Sequence, residues 1–362
     1  VGEDHVFLER TLALAKKREG FCAPNPSVGA VVVKAGQVIA EGWHEGPGTV
    51  HAEVMALSVL AEGEAKGATV YVSLEPCCHH GRTPPCTEML MAKEVSRVVY
   101  GKQDPNPLVA GKGQETLLNE GIDCQQVSLD AISQFYRPYS FWQKHQRPWL
   151  IAKLAMSLDG KSAGEKGEPI QITGKGMQHF THERRFSSDA LLTTANTIIA
   201  DDPQFNVRLG EQVFQKPLWV LDSQARISPA AKIFETAKPV VIVHGPAADK
   251  ERLAALKARG AVLREIPLLE SKVNLGKLWN LMGAAGLHKI WIESGGQLLQ
   301  TLLEGQYLHE FYLALGPKIL GENALSAFPK ALDLEALGMK PVWRALRGDS
   351  LGFFDFTLQN ND

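Results

Sequence analysis

The 362-residue chain has almost no excess charge of either sign: 38 Lys and Arg against 40 Asp and Glu leave a formal net charge of −2. Proteins that bind a long polyanion carry a basic footprint, so no nucleic-acid partner is expected. A local basic pocket for a small phosphate stays open. No apolar run approaches the ~20 residues of a bilayer-spanning helix, and the start, Val1-Gly2-Glu3-Asp4-His5, is acidic where a leader would be basic. No membrane association and a cytoplasmic location are therefore expected. Cysteines are few and odd in number, at positions 22, 77, 78, 86 and 124, which argues against a disulfide framework. Thiols clustered as Cys77, Cys78 and Cys86 point to metal instead. Also missing are internal repeats, low-complexity tracts and a G-x-G-x-x-G fingerprint after a strand, so a Rossmann dinucleotide site is not expected.

What is present is ordinary globular material, 44% hydrophobic and 22% charged. The length suits two domains, each with its own core. In the first, helices are predicted over Phe7–Glu19, His51–Ala61 and Thr87–Lys93. Strands are predicted over Ala30–Val33, Val38–Trp43, Ala68–Leu74 and Arg97–Gly101, with a further helix and strand ending near Cys124. Asp104-Pro105-Asn106-Pro107 reads as a loop. The segment RPYSFWQKHQRP (137–148), with two prolines, reads as the junction, giving domains 1–146 and 147–362. A second α/β pattern then begins, with strands expected at Leu150–Leu154, Ala190–Thr194, Pro217–Leu221, Val240–Val243, Ala261–Ile266, Lys289–Glu293 and Phe311–Leu315. Helices are expected at Lys250–Arg259 and Gln297–Glu304.

The chemistry concentrates at His51-Ala52-Glu53 and Pro76-Cys77…Cys86. His51, Cys77 and Cys86 are three good zinc ligands. A three-ligand site leaves a fourth position for water, as catalytic zinc sites do. His51 and Glu53 lie about 200° apart around a helix, so they converge only at its opening turn. The cysteines precede or start helices, where the backbone dipole favours thiolate. Glu53, near the ion but not on it, suits a group that carries a proton from water to a leaving amine. This is the pattern of zinc deaminases, with a wider cysteine spacing. A closed structural site would need a fourth ligand, which Cys78, His79 or His80 could supply. Cys22 and Cys124 read as ordinary buried thiols.

Pro24-Asn25-Pro26-Ser27-Val28-Gly29-Ala30, His51-Ala52-Glu53, LEPCCHHGRTPPC (74–86) and DPNPLVAGKG (104–113) together resemble the bifunctional deaminase/reductase family of riboflavin biosynthesis. KLAMSLDGKSA (153–163), Ile172-Thr173-Gly174, Arg185, Asp189–Ala200 with Asp201-Asp202-Pro203, Arg208 and WIESGG (291–296) are similar to its reductase half. The resemblance implies an α/β protein: a cytidine-deaminase-like αβα domain, then a dihydrofolate-reductase-like α/β domain. It implies zinc-dependent deamination of 2,5-diamino-6-ribosylamino-4(3H)-pyrimidinone 5′-phosphate. NADPH-dependent reduction of the ribosyl chain would follow, giving the ribitylamino-uracil phosphate. A small phosphorylated pyrimidine is the expected partner, with two or more copies associating through the reductase domain.

The same resemblance distributes roles over this chain. Asn25 and His44 would hold the pyrimidine, though Asn25 also suits a plain turn, and Arg82 would hold the substrate phosphate. Ala155, Gln171, Thr197, Asp201, Ser223, Gly295 and Gly296 would line NADPH. Pro169, Arg185, Phe205, Arg208 and Glu293 would contact the reductase substrate. Glycines between a strand and a helix let a phosphate approach backbone N–H groups, and two arginines on one phosphate suit bidentate pairing. Reduction also needs a proton donor, for which Asp201 and Lys153 are the titratable candidates. Two positions depart from the pattern: Gln171 stands where the family has Trp, and Cys78 where it has Ser.

Overall fold

The computed structural model describes residues 2–79, 84–335 and 340–359. It divides into two compact units, one running to Arg147 and including Gly283–His288, the other comprising Pro148–Met282 and the chain from Lys289 onward. Among the described residues, no helix is long and apolar enough to cross a membrane.

The first unit contains helices α1 (Glu3–Lys16), α2 (Ala52–Ser58), α3 (Cys86–Ala92), α4 (Lys112–Asn119), α5 (Asp130–Phe135) and α6 (Arg137–His145). Its strands are β1 (Gly29–Lys34), β2 (Gln37–Trp43), β3 (Thr69–Val72), β4 (Arg97–Tyr100) and β5 (Asp123–Gln126), ordered β2-β1-β3-β4-β5. The β1–β2 hairpin turns at Ala35-Gly36, both in the left-handed region. Alternation along β1 sends Ala30 and Val32 into a core with residues of α2, α3 and α4. Val31 and Val33 enter another core with α1, α5 and α6. The result is a sheet between two helical layers.

Where a junction was expected, Arg137–His145 is helical. Pro138 sits in its first turn, where a missing N–H costs nothing. Gln146, at φ 54°, ends the helix ahead of Pro148. The indole of Trp142 on α6 donates to the Gly283 carbonyl at 2.9 Å. The His288 ring rests against Trp142 and Tyr139, with centroids 4.5 and 5.1 Å apart. A strip of chain from far downstream thus completes this unit.

The second unit has helices α7 (Lys175–Phe186), α8 (Ala195–Asp201), α9 (Ile233–Thr236), α10 (Lys250–Ala258), α11 (Leu275–Ala284, its end passing into the first unit) and α12 (Gly296–Glu304). Its strands are β6 (Trp149–Met156), β7 (Lys161–Glu165), β8 (Ala190–Thr194), β9 (Val207–Leu209), β10 (Gln212–Phe214), β11 (Leu218–Leu221), β12 (Val240–His244), β13 (Val262–Glu265), β14 (Leu268–Leu269), β15 (Lys272–Val273), β16 (Lys289–Glu293), β17 (Glu310–Leu315), β18 (Ala324–Ser326), β19 (Val342–Leu346) and β20 (Asp349–Asp355). Nine of them form one sheet, ordered β13-β12-β11-β8-β16-β6-β17-β20-β19. Strands β13 to β17 in that order run parallel, and β20 and β19 join antiparallel. Burial on both faces explains continuous apolar runs such as Val240-Val241-Ile242-Val243.

Gly42 on β2 fixes the seat of α2. A Cβ there would lie 2.3 Å from the Ala52 carbonyl oxygen and 2.6 Å from the Ala56 nitrogen. Both neighbours are backbone, so the helix itself would have to move. Gly42→Ala is expected to destabilise the first unit by about 1–3 kcal/mol, read as a lowered midpoint in denaturant unfolding followed by near-ultraviolet dichroism.

Candidate active sites

In the first unit, α2 begins directly after His51 and α3 begins at Cys86, while Cys77 follows β3. These placements bring three donors together. His51 Nδ1 lies 3.1 Å from Cys86 Sγ and 3.4 Å from Cys77 Sγ, and all three ligand atoms fall within 4.8 Å of one another. Tetrahedral zinc with bonds of ~2.0–2.3 Å requires donor separations of roughly 3.5–3.8 Å, so one nitrogen and two sulfurs fit it. Among the described residues no fourth His, Cys, Asp or Glu joins the set. The Cys86 backbone N–H also points at Cys77 Sγ, 3.3 Å away, which favours the thiolate a metal needs.

Glu53, in the first turn of α2, is 3% exposed. Burial pushes its carboxyl up to about 7, and the Cys77 charge adds to this while His51 opposes it. A carboxyl held there can take and release a proton near neutral pH.

A cavity of about 440 Å³ opens beside these groups, lined by Asn25, His44, His51, Glu53, Cys77 and His79 among others. The His44 Nδ1 is 3.1 Å from the Val50 carbonyl and its Nε2 is 3.2 Å from Asn25 Nδ2. With a proton on Nδ1, the imidazole donates to Val50 and accepts from the Asn25 amide N–H. Burial lowers the His44 pKa and favours that neutral ring. The Asn25 Oδ1 is then the amide's remaining acceptor. Arg82 and His80 lie outside the described residues.

Several groups at this site escape a reading of the sequence. The Glu75 carboxylate is buried and accepts four backbone N–H bonds, from Asp104, Gly111, Gly113 and Gln114, at 3.0–3.3 Å. It ties the approach to Cys77 to the 104–114 loop. Asp104 lines the cavity, and burial pushes it up to about 6; it accepts from the Tyr139 hydroxyl at 3.2 Å. Tyr139 and Trp142 of α6 also form cavity wall. The signal for them was the Tyr-x-x-Trp spacing, which puts both on one helical face once the prolines are allowed in the first turn.

In the second unit a cavity of about 600 Å³ lies along the carboxyl ends of β8, β11 and β16, beside Lys153–Ala155 of β6. Ala155, Arg185, Thr197, Asp201, Phe205, Ser223, Glu293 and Gly295 line it. Arg185 pairs bidentately with Glu293, Nε to Oε1 at 2.6 Å and Nη2 to Oε2 at 2.8 Å. Burial would raise the Glu293 pKa, but Arg185 and then Lys153 outweigh it and hold it down to about 2. Burial lowers the Lys153 ammonium and raises Asp201, so both titrate closer to neutrality than usual.

Four sequence-derived positions do not line that cavity. Gln171 is exposed and donates to the Thr173 carbonyl, and Pro169 is exposed. Arg208 turns to Gln204 and Asn206, at 2.8 and 2.6 Å. Burial, and after it the charges of Arg185 and Arg208, push His182 down to about 4. Gly296 is a packing glycine: its Cβ would sit 1.7 Å from the Ala327 carbonyl oxygen, whereas a Cβ on Gly295 meets nothing within 4 Å. Of the doublet, only Gly295 borders open space a phosphate could enter.

The zinc geometry makes a direct prediction. Cys86→Ser should lower bound zinc from about one per chain to a small fraction, measured by atomic absorption after dialysis. Retention of full zinc would mean that another residue completes the set.

Comparison with known proteins finds a match for each unit. Residues 2–102 match the cytidine and deoxycytidylate deaminase zinc-binding region, and residues 148–344 match the RibD C-terminal domain. The riboflavin biosynthesis protein RibD of Haemophilus influenzae is 37% identical, over 97% of this chain and 95% of its own length. That of Aquifex aeolicus is 34% identical, over 95% and 93%. Acinetobacter baumannii RibD superposes with a TM-score of 0.85 at 33% identity, covering 98% of each chain. The Thermotoga maritima diaminohydroxyphosphoribosylaminopyrimidine deaminase/5-amino-6-(5-phosphoribosylamino)uracil reductase gives 0.84 at 29%, also over 98% of each. The sequence, the fold and the two sites agree, and the chain belongs to the RibD family of bifunctional riboflavin-biosynthesis enzymes, a zinc-binding deaminase joined to an NADPH-dependent reductase.

Proposed function

We propose that the first unit removes the exocyclic amino group of 2,5-diamino-6-ribosylamino-4(3H)-pyrimidinone 5′-phosphate. The second unit then reduces the ribosyl chain of the product to ribityl. The observation that carries the reading is the convergence of His51, Cys77 and Cys86 beside a buried Glu53 whose pKa is about 7.

His51, Cys77 and Cys86 hold zinc in this reading. Zinc with three protein ligands supplies Lewis acidity that makes water nucleophilic near neutral pH. Glu53 takes the proton that water gives up and delivers it to the departing amine. Asn25, oriented by His44, offers an acceptor to the pyrimidine edge, and Arg82 takes the phosphate. In the second unit NADPH supplies hydride. Gly295 leaves room for its phosphates, with Ala155, Thr197, Ser223 and Asp201 along the cavity wall. Arg185, fixed by Glu293, and Phe205 face the substrate. The proton for the reduced sugar comes from Asp201, with Lys153 beside the reacting carbonyl. Gln171, Gly296, Pro169 and Arg208 lie off the wall of this cavity.

A small phosphorylated pyrimidine as partner, with no nucleic acid, accords with the near-zero net charge. Pairing of two copies through the second unit is supported by β19, which lies at the sheet edge with Val342 and Trp343 exposed. A cytoplasmic setting accords with a biosynthetic enzyme acting on a small phosphorylated substrate.

Glu53→Gln separates the two activities. Ammonia release from the diaminopyrimidinone phosphate is expected to fall by at least about 10³-fold, while NADPH oxidation with the deaminated compound stays at the unsubstituted rate. Normal ammonia release by this variant would sink the proton-transfer role.

A further inference from the structure

Among the described residues, two cations at the second-unit cavity are left without an acidic partner. Four basic side chains line it: Lys153, Lys166, Arg185 and Lys272. Arg185 is paired with Glu293, and Lys153 is buried near the same carboxylate, where burial disfavours its charged form. Lys166 stands on the turn after β7, next to the β6 end of the cavity where Lys153 and Ala155 lie. Lys272 stands at the opposite end. Its hairpin, β14–β15, packs through Leu268 against Gly245, where a Cβ would come within 3.0 Å of the leucine side chain. Gly245 in turn donates its N–H to the Ser223 carbonyl just beyond β11. Ser223, Ser271 and Lys272 all line the cavity there. Glu270 and Ser271, at φ 48° and 64°, make a two-residue turn that brings the chain straight back to Lys272.

The sheet order sets the scale. From β6 to β11 are three strand spacings, β6-β16-β8-β11, roughly 14 Å at about 4.8 Å each. An extended dinucleotide with its reactive ring at Lys153 and Ala155, and its pyrophosphate at Gly295, reaches β11 with its adenosine. A second basic group borders that end. Arg226 donates to Asn196 Oδ1 at 2.6 Å, and Asn196 lines the cavity. Among the described residues neither Lys272 nor Arg226 forms an ion pair. A lysine beside two serines at this end of the cavity, with an arginine held on the cavity-lining Asn196, suits a dianionic phosphate monoester and gives nothing to a bare ribose 2′-hydroxyl.

We propose that Lys272, assisted by Arg226 and the hydroxyls of Ser223 and Ser271, binds the 2′-phosphate of the adenosine and makes the reductase select NADPH over NADH. The inference rests on the reading of this cavity as the cofactor site, and it adds the residues that discriminate between the two cofactors. Lys166, at the other end, is left to the substrate side.

The test is calorimetric binding of adenosine 2′,5′-bisphosphate, ADP, NADPH and NADH to the full chain, without turnover. Lys272→Ala is expected to weaken adenosine 2′,5′-bisphosphate and NADPH by about tenfold, the equivalent of one charged contact. ADP and NADH should bind as before, and Arg226→Ala should act in the same direction. Raising salt should narrow the preference for NADPH in the unsubstituted protein. If neither substitution changes the affinity for adenosine 2′,5′-bisphosphate while NADPH still binds the parent protein, the 2′-phosphate is read elsewhere and the inference is wrong. If the parent protein binds neither NADPH nor the bisphosphate, the cofactor reading of the cavity fails with it.

Discussion

The deaminase site hangs on one buried carboxylate that performs no chemistry. Glu75, three residues beyond β3 and directly before Pro76-Cys77, accepts the N–H groups of Asp104, Gly111, Gly113 and Gln114. A buried carboxylate is costly unless its lone pairs are filled, and backbone donors that never move fill them well. The return is positional. The segment that carries Cys77 is locked to the loop that offers Asp104, Asn106 and Val109 to the cavity. Gly113 permits the same closeness, since a Cβ there would meet the Pro76 carbonyl at 2.1 Å. The clamp works from behind the cysteine, while the close seat of α2 on Gly42 works from behind His51 and Glu53. Two halves of one metal-ligand set are thus held by unrelated contacts.

The second cavity is organised by charge. Glu293 receives Arg185 on both oxygens and the Trp291 indole on one, so the carboxylate at the end of β16 is saturated. Arg185 keeps a further bond to the Asn206 carbonyl at 2.9 Å. Such a pair gives little net stability when buried, yet it fixes both groups in one geometry. Lys153, sharing that carboxylate's field from β6, is held in a dry setting that lowers its hold on a proton. Positioning here comes from electrostatics across neighbouring parallel strands, whereas in the first unit it comes from helix starts and backbone donors.

Much of this was legible in the residues. Ligand chemistry announces itself, because His51, Cys77 and Cys86 have few other reasons to cluster with Glu53. Apolar strands such as Ala190–Thr194 and Lys289–Glu293 were bounded correctly by composition alone. What escaped was whatever depends on context. The prolines of 137–148 marked a junction, and the chain does pass from one unit to the other at Arg147 and Pro148; the cavity-lining helix inside that segment went unread, because Pro138 is harmless in a first turn. Gly295 and Gly296 look alike in sequence, and only their neighbours separate open space from backbone packing. The β14–β15 hairpin is two residues a side, too short for any periodicity to show. The β19–β20 hairpin gave no alternation to read, because its edge strand is largely exposed.

The strip Gly283–His288 has a consequence for how the chain can be divided. It carries the His288 ring that covers Trp142 and Tyr139, and Gly286 lies so close to Pro24 that a Cβ would approach its ring to 2.6 Å. A gene cut after Arg147 would therefore yield a shortened deaminase with two aromatic rings newly wet, at the wall of its own substrate cavity. A single cut in the chain does not coincide with the boundary of what folds together. Fragments meant to isolate deamination need a graft that replaces those six residues.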